Sequence, residues 1–274
     1  MPKENNKPAN YWICGEDLHT HPKHLQTWHH GIISYIFGVL GSTGMGVIAV
    51  KYQVVTNVEE TVSSDYDAIG YFLFLYQLLM IVSRCYVKGP EELYNQLWAC
   101  NVGMTTATYG IIMHKPVMVG ASIGCVALDQ FLWWFDCFLK LTTGKFKIGV
   151  AKYLEWPETG MVQKITSWHH LWFLPLCIYY LRMTGPGMPT GALPLSLLAV
   201  ISMSIVSRIV TPKDLNINMS NRFWKDIKIS ALHRMNGAPF WLYIPFLIVV
   251  YNCMNLPWWP LIVWFVGGNV RVVG

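Results

Sequence analysis

The stretch VMVGASIGCVALDQFLWWFDCFL, residues 117–139, decides the fold. Only two of its residues, Asp129 and Asp136, are charged. An α-helix rises about 1.5 Å per residue, so about 20 apolar residues cross the hydrocarbon core of a bilayer. Working outward, comparable stretches lie near 31–50, 68–86, 94–113, 165–182, 191–210 and 239–256. The pattern predicts an all-α, polytopic membrane helical bundle of about seven transmembrane helices. The tail PWWPLIVWFVG, residues 257–267, is too short for a further span. Its tryptophans suit the membrane interface, where that residue is enriched.

Composition agrees. Of 274 residues, 53% are apolar and only 13% charged, about half the charge that a soluble domain carries. That excludes an ordinary soluble domain, and the apolar content excludes disorder. The seven cysteines show neither a disulfide framework nor a CxxC pair. No repeat or low-complexity tract stands out. The first 30 residues are polar, which predicts no cleavable leader.

The net charge of +5 takes its meaning from its placement. With seven spans, only Lys51, Lys115, Arg182 and Arg271 fall on one side, and the other sixteen of the 20 Lys and Arg share the opposite one. The positive-inside rule makes that richer side, which carries the N-terminus, cytosolic. The basic balance is thus a topology signal, and no nucleic-acid partner is expected. The expected organisation is a cytosolic His-rich segment 1–30 and one transmembrane domain 31–267, with basic cytosolic loops 140–164 and 208–238. Within the second loop, Trp224, Ile227, Ala231, Leu232 and Met235 fall at helical spacing. They predict a short amphipathic helix on the cytosolic leaflet, or else a solvated connector. Ser34, Gly38, Ser42 and Gly46 recur every four residues, a stripe for close helix packing.

Polar residues inside spans are costly and default to functional hypotheses. The candidates are Cys100 in the third span, Asp129 and Asp136 in the fourth, and His169 and His170 in the fifth. Counting from the cytosolic side puts Cys100 about 10 Å deep, His170 about 8 Å and Asp136 about 6 Å, with Asp129 near mid-membrane. Asn216 and Asn218 follow the cytosolic end of the sixth span. Four separate segments therefore bring polar groups to one side at similar depth. A thiol beside an imidazole is an activated nucleophile and could attack an ester carbonyl of a phospholipid. Asn or the second His could stabilise the oxyanion, and an Asp could orient the imidazole. The plain alternatives are a cysteine that only packs, a WHH motif that anchors at the interface and aspartates that pair with lysine. In the first case Thr105, Thr106 or Thr108 would substitute as nucleophile.

Two other classes stay open. His19, His21, His24, His29 and His30 crowd the segment before the first span. They could ligate iron or zinc in a metal-dependent lipid hydroxylase or desaturase. Their spacings miss the HxxxH and HxxHH boxes of those enzymes, so no metal or other cofactor is expected. The third class is a non-enzymatic transporter, receptor or scaffold, with Asp129 and Asp136 along a path.

Three motifs carry a resemblance: LWACNVGMTT at 97–106, ITSWHHLWFLPLCIYYL at 165–181 and VTPKDLNINMS at 210–220. In this order they resemble the transmembrane protein 164 family and its bacterial YwaF-type relatives. That family is distantly similar to androgen-induced-type hydrolases of fatty-acid esters. The family has a cysteine in an Asn-Pro-Cys-His setting, a histidine after glutamine, and an Asn-Leu-Asn-Asn-Met segment. The resemblance implies a membrane acyltransferase or acyl hydrolase with Cys100 and His170 catalytic, Asn216 and Asn218 supporting, and phospholipid or lysophospholipid as partners. Here the cysteine setting is Trp-Ala-Cys-Asn, and His169 stands where the family has glutamine, so the catalytic histidine could be either neighbour. Endoplasmic reticulum is the default location expected of such a chain. Nothing in the sequence speaks to oligomeric state.

Overall fold

The computed structural model describes residues 28–51, 64–157, 159–184, 187–213, 215–224 and 229–267. Among these residues the chain is all-α, without a strand. Helix α1 (Trp28–Tyr35) runs through a π turn (Ile36–Leu40) into α2 (Gly41–Lys51). The order continues with α3 (Asp67–Lys88), α4 (Glu92–Asn95), α5 (Ala99–Ile112) and α6 (Pro116–Thr143). Next come α7 (Met161–Thr166), α8 (His169–Thr184) and α9 (Ala192–Val210). The chain ends in α10 (Ser230–His233), α11 (Phe240–Asn255) and α12 (Trp259–Val266).

Four helical stretches are long and apolar enough to cross a membrane: Ser64–Lys88, Pro116–Thr143, Ala192–Val210 and Phe240–Val266. They match four of the seven expected spans. The other three differ for physical reasons. The first is helical but interrupted by the π turn. The third is only 14 residues of helix and the fifth only 16, about 21 and 24 Å against a roughly 30 Å core. Both are cut short at the end that carries the polar residues, where Trp98 and the Ser167–Trp168 turn precede the helices.

Two smaller expectations meet the structure differently. The tail 257–267 continues the seventh expected span within one helical stretch, Phe240–Val266. A short 3-10 turn, Leu256–Trp258, joins α11 to α12, which packs on α6 and α8 with Trp258 stacked on Phe131. The amphipathic helix over 220–235 does not form as a unit. Residues 221–224 are non-helical, Phe223 is buried and its N–H is held by Asn236 Oδ1, which leaves, among the described residues, only the helical turn Ser230–His233. Residues 225–228 lie outside the described ones.

Helix α6 is the axis of the bundle, packed by α5, α8 and α9 and buried along its first dozen residues. Helix α3 instead turns Phe74, Leu75 and Leu79 outward, as a lipid-facing helix does. The small-residue stripe that runs from α1 through the π turn into α2 serves close approach: a Cβ at Gly38 would lie 1.9 Å from Leu97 Cδ2, and Ser34 Oγ donates to the Val210 carbonyl at 3.0 Å. Gly38→Ala should therefore force the buried Leu97 aside and cost about 1–3 kcal/mol. Gly44→Ala, with nothing within 4 Å of its Cβ, should be neutral. Thermal unfolding in detergent compares the two.

Candidate functional site

Helix α5 begins in the interior of the bundle, so its first amides and the preceding carbonyls need partners. Asn218 supplies them. Its Oδ1 accepts the Ala99 N–H at 3.0 Å, and its Nδ2 donates to the Leu97 carbonyl at 2.7 Å and to Ser207 Oγ at 3.0 Å. Asn218 sits at φ 52°, ψ 32°, in the left-handed region that asparagine tolerates better than most residues. This clamp fixes the turn before Cys100, the second residue of α5.

Helix α8 begins just as abruptly. The chain turns at Ser167–Trp168, with the His170 N–H bonded to the Ser167 carbonyl at 3.2 Å. Side chains of α6 then dock the new helix: Trp134 Nε1 donates to the His170 carbonyl at 2.6 Å, and Gln130 Oε1 accepts the Leu174 N–H at 3.1 Å. Neighbouring residues on a helix normally diverge by about 100°. At this start both His169 and His170 are buried, with ring centroids 4.3 Å apart. His170 stacks on Trp133 at 5.6 Å and 16°, and Tyr76 meets His169 edge-on.

The two starts face each other. The Cys100 sulfur and one nitrogen of each imidazole lie within 4.8 Å of one another. His169 Nδ1 is 2.7 Å from the Thr166 carbonyl, which can only accept, so Nδ1 carries the proton and Nε2 the lone pair. That Nε2 is buried without a hydrogen-bond partner, as is His170 Nδ1. The half-buried Asp129 places Oδ2 3.8 Å from His170 Nδ1. All four residues line a cavity of about 140 Å³ at one end of the bundle, with Trp98, Trp133, Trp156 and Trp224 on its walls.

Asp136 and the asparagines stand elsewhere. Asp136 is fully buried, and its carboxylate accepts the N–H groups of Ile148, Gly149 and Ala151, each at 2.9 Å. It anchors the loop after α6 and not the histidines. Asn216 accepts the N–H groups of Asn221 and Arg222 and donates to the Arg222 carbonyl. The asparagine amides thus serve backbone and Ser207, and neither residue lines the cavity. His29 and His30 are exposed on α1 and stand apart from the cysteine cluster. His19, His21 and His24 lie outside the described residues.

Sequence reasoning missed two residues of this wall. Arg84 is buried in the cavity, its Nε donating to Thr166 Oγ1 at 2.7 Å and its guanidinium reaching Ser167 Oγ at 3.4 Å. A basic group within the span 68–86 was signal enough, yet it counts there only toward topology. Tyr153, in the loop held by Asp136, is the second. Burial pushes its phenol up to about 12, so it remains a neutral O–H at ordinary pH. No pattern marks it, because the loop's return path is set by Asp136.

Asp136→Ala would leave two buried amides and one half-buried amide without an acceptor, costing about 2–4 kcal/mol. The loop 145–156 should then become protease-sensitive in limited digestion. The chain matches no protein-family model, and no curated protein or solved structure matches it.

Proposed function

We propose that the protein is a membrane-embedded acyl-transfer enzyme in which Cys100 takes an acyl chain from a phospholipid and passes it to a lysophospholipid or to water. The observation that carries this reading is the meeting of one thiol and two imidazoles within 4.8 Å, on the wall of a cavity among apolar helices. The resemblance to the transmembrane protein 164 family, on Cys100, His170, Asn216 and Asn218, points the same way. In this reading the three shorter helical segments also enter or cross the bilayer, giving seven passes with the N-terminus cytosolic. The cavity then opens at the cytosolic headgroup level.

The chemistry follows from the placement. His170 takes the thiol proton, and Asp129 stabilises the imidazolium that results. The sulfur attacks the ester carbonyl, and the charge on its oxygen is opposed by Arg84. The carbon–oxygen ester bond then breaks, and the departing lysophospholipid alkoxide recovers the proton from His170. In the second half, the acceptor hydroxyl gives its proton to His170 and attacks the thioester, and the thiolate leaves and is reprotonated. His169, tied to the Thr166 carbonyl, holds the histidine pair in register.

Purified Cys100→Ala should lose acyl exchange entirely while eluting as the folded protein in gel filtration. His170→Ala should lose about 10²–10⁴-fold. Full activity in Cys100→Ala overturns the covalent mechanism. The topology is tested separately: in sealed vesicles with the cytosolic face outward, protease should remove a tag at residue 1 and spare one at residue 274.

A further inference from the structure

We infer that Cys100, His169 and His170 also form a binding site for zinc, and that the bound ion blocks the thiol. One thiol and two imidazoles are a fitting donor set for a borderline-soft d10 cation. Zinc bonds of about 2.3 Å to sulfur and 2.0–2.1 Å to nitrogen set tetrahedral donor spacings of roughly 3.3–3.6 Å. The three donors, already within 4.8 Å, need to close by only about 1 Å.

The surroundings supply what zinc-binding histidines require. Such a histidine donates its other N–H to a carbonyl or carboxylate, which fixes the tautomer and aims the free nitrogen. His169 does this through Nδ1 to the Thr166 carbonyl at 2.7 Å, leaving a buried Nε2 without a hydrogen-bond partner. His170 has the Asp129 carboxylate 3.8 Å from Nδ1. The cavity leaves room for water as fourth ligand. On binding, the sulfur–proton bond breaks, the proton passes to solvent and the sulfur's electron pair bonds the ion. The thiolate and Asp129 offset the dication, whereas Arg84 on the same wall opposes it. Binding stands on the donor geometry alone. Its consequence, an inhibited nucleophile, rests on the acyl-transfer reading.

The test is a zinc titration of the full-length protein in detergent against a chromophoric chelator. Wild type should show a site lost by about 100-fold or more in Cys100→Ala and in His169→Ala. That site should persist when His19, His21, His24, His29 and His30 are all changed to Asn, since those exposed or N-terminal histidines could collect zinc on their own. Iodoacetamide labelling of Cys100, followed by mass spectrometry, should slow at least about tenfold with zinc and recover with chelator. Zinc that follows the N-terminal histidines, or that stays unchanged in Cys100→Ala, overturns the site. Zinc binding and Cys100 protection in a protein with no acyl exchange when metal-free would sink the acyl-transfer reading and leave the site standing. Acyl exchange indifferent to zinc, with Cys100 unprotected, would do the reverse.

Discussion

A helix that starts inside an apolar bundle strands backbone groups that no water can reach, and each such group costs several kcal/mol if left bare. Helices α5 and α8 start that way, and the rest of the site depends on how their ends are met. For α5 the answer is Asn218, whose one side chain serves a carbonyl before the helix, its first amide and Ser207 on α9. For α8 the preceding turn meets the first amides, His170 N–H to the Ser167 carbonyl and Leu171 N–H to the Trp168 carbonyl, and two α6 side chains, Trp134 and Gln130, then hold the His170 carbonyl and the Leu174 amide. Shortening these helices leaves a gap at one end of the bundle. Full-length helices would fill that gap with their own first turns.

A single run on α6, DQFLWWFD at 129–136, organises the gap. Asp129, Trp133 and Asp136 recur at i, i+4 and i+7, and Gln130 and Trp134 form the adjoining i, i+4 row. The first row touches His170 by charge and by stacking and then ties down the loop 148–151. The second row docks α8 by hydrogen bonds. One helix face therefore sets the height of α8, the attitude of one imidazole and the path of the loop that brings Tyr153 to the cavity. This explains why two aspartates seven residues apart serve different ends. Asp129 lies where α8 begins, while Asp136 lies a further two turns along, beyond its reach.

Much of this was legible in the sequence, and the limits are physical. Apolar length found the four long helices, because burial in lipid writes itself into composition. It overestimated α5 and α8, since Trp98 and Trp168 are apolar enough to extend a span that the backbone has already ended. Depth counting put Cys100 and His170 at one level because rise per residue is nearly constant. It could not tell that His169 and His170 both turn inward, which depends on the turn at Ser167–Trp168. The sequence marks Asn216 and Asn218 as supporting residues, but their left-handed backbone and their bonds to distant backbone groups belong to tertiary structure. Arg84 and Tyr153 reach the cavity only through partners distant in sequence, Thr166 and the loop that Asp136 holds.

The placement of Arg84 links positive charge to base. Its hydrogen bonds go to the neutral hydroxyls of Thr166 and Ser167, and among the described residues no carboxylate lies within ion-pair distance of it. Arg84 shares the cavity wall with Lys88 and with the carboxylates of Glu91, Glu92 and Asp129, so its charge acts within a mixed field. The same Thr166 that receives the Arg84 Nε–H presents its carbonyl to His169 Nδ1. Moving the guanidinium therefore moves the turn that carries both imidazoles. Charge stabilisation and proton acceptance are coupled through one residue, and a substitution at Thr166 would disturb both together without touching Cys100.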